Sequence, residues 1–131
     1  MKRRTAREKA LQALFQIDVS DIAVNEAIEH ALDEEKTDPF FEQLVHGVLE
    51  HQDQLDEMIS KHLVNWKLDR IANVDRAILR LAAYEMAYAE DIPVNVSMNE
   101  AIELAKRFGD DKATKFVNGV LSNIKSDIEQ S

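Results

Sequence analysis

Apolar side chains recur along this sequence at intervals of three and four residues, the spacing that lines one face of a helix. Thr5 followed by Glu8 has the order of a capping box, in which hydroxyl and carboxylate each satisfy a free backbone N–H, and predicts a helix start there. The stripe that follows is Ala10, Leu14 and Ile17, flanked by Leu11 and Phe15, with Arg7 just ahead of it. Val24, Ala27, Ile28, Ala31 and Leu32 repeat the spacing in a second helix, with Glu26, Glu29, Asp33 and Glu34 turned outward. Thr37, Asp38 and Pro39 break the chain. Asp38 as N-cap and Pro39 as first helical residue then open a third pattern, Phe41, Leu44, Val45, Val48, Leu49, Leu55, Ile59 and Leu63, which predicts one long helix.

Residues 64–73 mix Trp66, Leu68 and Ile71 with polar residues and hold no period, so they predict a joint between two halves. Asn73 is placed to cap the next helix, whose stripe is Val74, Ala77, Ile78, Leu81, Ala82 and Glu85; Leu79, Ala83, Tyr84, Met86 and Tyr88 make it apolar on most sides, as a central helix requires. After Pro93, Val94, Met98, Ala101, Ile102, Ala105 and Phe108 form a further stripe ended by Gly109, although Ser97 and Glu100 offer an alternative capping box one turn later. Asp110 or Asp111 caps the last helix, with Ala113, Phe116, Val117, Val120, Leu121, Ile124 and Ile128 on its apolar face. No stretch alternates with period two. The pattern therefore predicts an all-α protein of one domain with six helices: three in an N-terminal half over residues 1–63, a joint over 64–73, and three in a C-terminal half over 74–131.

Composition supports helices over sheets, because three glycines and two prolines leave little turn chemistry for a sandwich or barrel. With 45% hydrophobic and 31% charged residues the chain has enough apolar surface to fold. The absence of cysteine excludes disulfide scaffolds, thiolate catalysis, zinc ribbons and iron–sulfur ligation. The net charge of -9 hides an asymmetry: Lys2, Arg3, Arg4, Arg7 and Lys9 against Glu8 give the first nine residues +4, leaving -13 for the rest. An acidic body repels phosphate backbones in general, while a basic tip can still grip a few phosphates; a frayed, solvated terminus is the plainer alternative. Glu8, Lys9, Gln12, Gln16 and Asp18 interrupt what a signal peptide would keep apolar, and no run is long enough for a membrane span. A cytoplasmic protein without a membrane partner is expected.

Catalytic chemistry finds no foothold. His46-Gly47-Val48-Leu49-Glu50-His51 misses the inverted zinc-protease spacing by one residue, and Glu42 with His46 lacks the paired elements of a di-metal bundle. Three isolated glycines, Gly47, Gly109 and Gly119, make neither a phosphate loop nor a nucleophile elbow. No enzyme activity, cofactor or metal is expected.

Three segments taken together resemble the NusB family of bacterial transcription antitermination factors. They are Arg3-Arg4-Thr5-Ala6-Arg7-Glu8 running into Ala10-Leu11-Gln12-Ala13-Leu14-Phe15; Val74-Asp75-Arg76-Ala77-Ile78-Leu79-Arg80-Leu81 with Tyr84-Glu85; and Asn99-Glu100-Ala101-Ile102-Glu103-Leu104-Ala105-Lys106, Phe108-Gly109 and Lys115-Phe116-Val117-Asn118-Gly119-Val120-Leu121. The resemblance covers nearly the whole chain. It implies two perpendicular three-helix subdomains packed into one compact domain. It also implies binding of the boxA element of ribosomal RNA leader transcripts together with NusE, a small-subunit ribosomal protein, within an RNA polymerase antitermination complex.

Carried over by motif, the resemblance places Arg3, Arg4 and Arg7, with Lys2 adjacent, in the RNA site and suggests Lys112, Lys115 and Phe116 as further RNA contacts. Asp75, Arg76, Arg80, Tyr84 and Glu85 fall in the region implied to meet NusE, and Phe15 stands where relatives can have tyrosine. Packing competes with binding at several positions. Phe116 lies on a core stripe, Asn118 and Gly119 suit close helix contact, and Trp66 and His62 serve equally as hinge fillers or as a platform for an unpaired base. Two other functions stand beside the RNA reading: a protein-interaction module whose acidic body docks a basic partner, and an accessory domain like those attached to ribosomal RNA cytosine methyltransferases. A sequence ending at Ser131 without a methyltransferase region speaks against the second.

Overall fold

Side-chain caps set the starts of two helices in the computed structural model, which describes all of residues 1–131. There are seven α-helices and no strand: α1 (Arg3–Val19), α2 (Val24–Leu32), α3 (Pro39–Glu50), α4 (Gln52–Ser60), α5 (Asn73–Tyr88), α6 (Val94–Phe108) and α7 (Asp111–Gln130), with a short 3-10 turn at Leu68–Arg70 inside the joint. Asp38 caps α3 by accepting hydrogen bonds from the N–H groups of Phe40 and Phe41, and Pro39 occupies the first turn. Asp110 caps α7 through Ala113 N. Gly109 ends α6 at φ -115, so it supplies no left-handed turn; a Cβ there would stand 2.8 Å from Ala113 Cβ and 2.9 Å from the Ala105 carbonyl oxygen. Closeness, not backbone freedom, demands that glycine.

The long third helix of the sequence pattern is two. The chain leaves helical geometry at His51, φ -105 and ψ 16, and restarts at Gln52. The break re-aims the apolar stripe, so that α3 packs on α1 and α5 while α4 packs on α5 and α7. Three expected caps are also displaced, two by a tertiary partner and one by a neighbour on its own helix. Helix α1 begins at Arg3 with no side-chain cap, and Glu8 accepts from Arg107 at 2.9 Å instead of closing a box with Thr5. Asn73 is the first residue of α5, where its Oδ1 accepts from Arg76 Nη2 at 2.5 Å. Helix α6 begins at Val94, a turn before the Ser97 box, and buried Ser97 donates to Glu85 Oε1 at 3.2 Å.

Helix α5 is central, packing against α1, α3, α4, α6 and α7, while α1 packs against α2 and α3. One core of 30 buried residues draws on both halves, with Phe41, Leu44, Leu55, Ile59, Ile78, Leu79, Leu81, Leu121 and Ile124 fully enclosed. Burial of each such side chain contributes roughly 1.5–3 kcal/mol, which is why the apolar stripes dominate the arrangement. No helix is long and apolar enough to cross a membrane.

Ion pairs fix the direction of each helix. Arg7 of α1 meets Glu85 of α5, and Arg76 of α5 meets Asp18 of α1, so the two helices are antiparallel. Ser97 lies beside Glu85 at the start of α6, which makes α6 antiparallel to α5 and parallel to α1. The start of α7 lies against the start of α5, where Asp75 and Lys112 line one hollow.

Candidate nucleic-acid interface

The basic tip separates into two layers. Lys2, Arg3 and Arg4 are exposed on the first turn of α1. Arg3 lies over the Phe40 ring, 4.5 Å from its centroid, with Nη2 3.4 Å from Asp91. Arg4 forks onto Glu100 at 3.1 and 3.3 Å, and the hydrogen bond to that carboxylate raises its guanidinium above the ordinary value. The Arg3 pair is exposed on both sides and opens at little cost, while Arg4 keeps its own guanidinium in water although Glu100 is mostly covered, so both cations remain within reach of a phosphate.

Arg7 is the correction. It is 3% exposed and donates from Nε (3.1 and 2.9 Å) and Nη2 (2.8 Å) to the carboxylate of Glu85, itself 1% exposed. A guanidinium paired with its own buried carboxylate reaches only the floor of the hollow at the tip and is not a free cation like its exposed neighbours, and Glu85, expected at the partner surface, is equally enclosed. Burial puts both on apolar stripes: Arg7 is followed at i+4 and i+7 by Leu11 and Leu14, and Glu85 closes the stripe of α5.

From the tip a groove runs between α1 and α6. Its first hollow, about 150 Å³, is lined by Arg4, Arg7, Glu8, Glu100, Glu103, Leu104 and Arg107. The next, about 200 Å³ and almost wholly apolar, is lined by Leu11, Gln12, Phe15, Val74 and Phe108. Phe108 is 36% exposed and lies under the Arg107 guanidinium, 5.3 Å from its ring centroid. A separate hollow, about 320 Å³, opens at the start of α5 and α7 and is lined by residues including Trp66, Arg70, Asp75, Lys112 and Phe116. The arginine tip and the Lys112–Phe116 segment thus lie at opposite ends of α5. Ten residues of helix separate the levels of Glu85 and Asp75, about 15 Å at 1.5 Å per residue.

Helix α7 adds a signal that packing does not explain. Lys112, Lys115, Phe116 and Gly119 follow i, i+3, i+4 and i+7 spacing and so share a face. Gly119 is exposed, in mid-helix, with nothing within 4 Å of where a Cβ would stand, so it does not serve close helix contact in the fold. An exposed glycine in a helix gives up stability relative to alanine, and what it offers in return is close approach to the backbone. Lys112 and Lys115 are exposed and make no ion pair, whereas Phe116 is half-buried against the core with part of its ring in the separate hollow.

The residues expected to meet a protein partner divide. Arg76, Arg80 and Tyr84 lie within about 80° of one another on α5 at 3.6 residues per turn, facing α1 and α4. Asp75 points to the α7 side. Arg76 holds Asp18 at 2.7 Å, and Arg80 bridges Asp56 (2.7 Å) and Asp18 (3.3 Å). Burial opposes the Arg80 charge, but hydrogen bonds and attraction from Asp56 and Asp18 hold its guanidinium above the ordinary value. Tyr84 is buried under Gly47 and stacks toward Tyr88, which is 37% exposed and lies 4.1 Å from the His51 ring. Asp18, Asp56 and Arg107 carry weight in these networks that periodicity did not single out, because each is an ordinary outward charge until its distant partner is in place.

Exposed cations at the arginine tip and at the start of α7, with ring-lined hollows between them on an otherwise acidic all-helical body, are the features that a single-stranded polyanion would require of a helical binding protein. Comparison with known proteins narrows that class. The model of the NusB family matches residues 4–126, and the chain belongs to that family. A relative, the transcription antitermination protein NusB of Bacillus velezensis, is 88% identical over 129 residues, covering 98% of this chain and 99% of its own. Among solved structures, NusB of T. maritima superimposes with a TM-score of 0.87 at 38% identity, covering 96% of this chain and 92% of its own. A crystal structure of the antitermination factors NusB and NusE in complex with dsRNA is also similar, with a TM-score of 0.85 at 31% identity, covering 95% of this chain and 96% of the other.

Proposed function

We propose that this chain is an RNA-binding transcription antitermination factor that binds the boxA element of ribosomal RNA leader transcripts together with NusE, without catalysing a reaction, in the cytoplasm. The observation that carries this reading is the groove between α1 and α6, with the exposed arginines at one end and Phe15 and Phe108 along it, together with the exposed lysines at the start of α7 beyond it. Lys2, Arg3 and Arg4 hold phosphates at the tip, and Lys112 and Lys115 hold them at the far corner. Unstacked bases lie against the rings between, the arrangement by which single-stranded RNA is distinguished from duplex. Arg7 and Glu85 act from inside by fixing the first turn of α1 against α5.

The face of α5 that carries Arg76 and Arg80, with Tyr84 beneath and Asp18 and Asp56 alongside, supports the contact with NusE. The acidic body as a whole, -13 outside the first nine residues, suits a basic partner, and joining such a partner to it leaves the tip free for RNA and for assembly with RNA polymerase. The deciding experiment is a titration of boxA RNA against a scrambled RNA of equal length, with and without NusE. Tighter binding of boxA, further tightened by NusE, is expected; equal affinity for both RNAs in both conditions overturns the assignment.

A further inference from the structure

The paired arginines of the chain fall into two sorts by how much of each guanidinium is engaged. Arg76 and Arg80 each hydrogen-bond through Nε, Nη1 and Nη2, and Arg7 does so through Nε and Nη2 with Nη1 3.7 Å from Glu100; their side chains are 12%, 11% and 4% exposed. Those cations are used up inside the fold. Arg107 belongs instead with the tip arginines. It engages Nη1 alone, on Glu8 at 2.9 Å, and its side chain is 64% exposed, against 53% for Arg3 and 64% for Arg4. The Nε and Nη2 donors, which together form a fork, make no hydrogen bond within the chain.

Arg107 lines the first hollow of the groove beside Arg4, while its neighbour Phe108 lines the apolar hollow that follows. The guanidinium thus marks the boundary between the two, 5.3 Å from the centroid of the Phe108 ring. Glu8 reaches it from α1, one turn beyond Arg4, and gives up the local capping bond to do so. The other carboxylates of the hollow already have cations: Glu100 has Arg4 and Arg7, and Glu103 has Lys106. A cation in the last turn of α6 complements the helix dipole. That accounts for a basic residue at position 107, but not for its reach to α1.

We propose that Arg107 is a phosphate-binding residue of the RNA groove and that Glu8 positions it, holding the guanidinium across the groove so that its Nε/Nη2 fork receives a backbone phosphate next to those held by Arg3 and Arg4. This rests on the RNA-binding reading and extends the contact from the tip to the hollow lined by Phe15 and Phe108. Two parallel N–H donors match two oxygens of one phosphate, and a lysine in the same place would offer only a point charge. Anchoring Nη1 on a carboxylate removes rotamer freedom before RNA arrives, so less is lost on binding. Glu8 therefore assists the binding of an anion although it is itself an anion.

Labelled boxA RNA is titrated with the full chain and its variants across a salt series, with anisotropy as the readout and urea unfolding as the check on folding. Arg107→Gln is expected to weaken binding roughly two- to tenfold, the scale of one hydrogen-bonded contact kept against water, and to flatten the salt slope by roughly 0.7. Arg107→Lys should keep the slope and lose part of the affinity, because the charge stays and the fork goes. Glu8→Ala and Glu8→Gln remove the same negative charge, and relief of repulsion alone would make both bind RNA more tightly. Positioning predicts the opposite for alanine: Glu8→Ala should bind more weakly than the unaltered chain, and Glu8→Gln, whose amide oxygen still accepts from Arg107, should recover the loss. In the Arg107→Gln background Glu8→Ala should no longer weaken binding. Tighter binding by Glu8→Ala overturns the positioning role, and unchanged affinity and slope in folded Arg107→Gln overturn the phosphate contact. In both cases weakened binding by Arg3→Ala with Arg4→Ala leaves the RNA-binding reading intact, whereas no binding of RNA by the unaltered chain overturns both.

Discussion

Arg7 and Glu85, 78 positions apart, form a forked pair enclosed between α1 and α5, with Nη2 to Oε1 at 2.8 Å and Nε to Oε2 at 2.9 Å. Ser97 donates to the same carboxylate, and Glu100 lies 3.7 Å from Arg7 Nη1. Every buried polar side-chain atom of the molecule has a partner. Removing one member strands the other: Glu85→Ala should destabilise the fold by about 3–5 kcal/mol, and replacing both residues by apolar side chains of similar volume should recover much of that. Urea unfolding of the three chains checks this, and a Glu85→Ala loss below about 0.5 kcal/mol, the scatter of ordinary surface substitutions, would rule out a structural role. Charge reversal at Glu85 is consequently a test of folding, not of partner binding.

The exposed arginines should behave differently. Replacing Arg3 and Arg4 by alanine should leave the unfolding midpoint nearly unchanged, because their ion pairs are exposed, while flattening the salt dependence of RNA binding by about 1.4 units, at roughly 0.7 per phosphate on a single strand. Anisotropy titrations across a salt series give the slope. An unaltered slope in the folded double variant removes the tip from the RNA site.

Gly119 and Gly47 make opposite predictions from the same chemical change. A Cβ at Gly47 would stand 2.3 Å from Tyr84 Cζ, in a ring held beneath the surface by its stack with Tyr88 and His51, so Gly47→Ala should cost about 1–3 kcal/mol. A Cβ at Gly119 meets nothing, so Gly119→Ala should stabilise the chain by about 0.5–1 kcal/mol through helix propensity alone. If RNA approaches the α7 backbone, that stabilised variant should bind RNA more weakly. Raised stability with undiminished affinity would show that the open face of α7 is not used.

Asp75 links the far corner to pH. Its carboxyl is raised above the ordinary 3.8 by burial and by Asp110, so the folded chain favours the protonated form more than the unfolded chain does. That contribution is complete below the ordinary value and is lost as pH rises through the raised one. Asp75→Asn should therefore match the unaltered chain in thermal midpoint at pH about 3 and exceed it at pH about 7. Equal midpoints at both would mean that the carboxylate carries no penalty in the fold.

The helices themselves were legible in the pattern of apolar positions, and so were the Asp38 and Asp110 caps, because periodicity and capping depend on residues within one or two turns. The tip was legible as charge, and the family as three motifs in order. Tertiary structure alone decided which of the tip's arginines face water. Arg3, Arg4 and Arg7 are the same residue type on one turn, and they differ only because Glu85 stands opposite the third, across a helix pairing that no local rule specifies. It likewise decided the break at His51, where two apolar stripes continuous in sequence pack against different neighbours. It also decided that the arginine tip and the Lys112 corner lie at opposite ends of α5. Local sequence sets which face of a helix is apolar. The direction in which that helix runs past the others, and hence which charges are neutralised and which remain free for a ligand, depends on contacts between residues tens of positions apart, where burial and ion pairing act together.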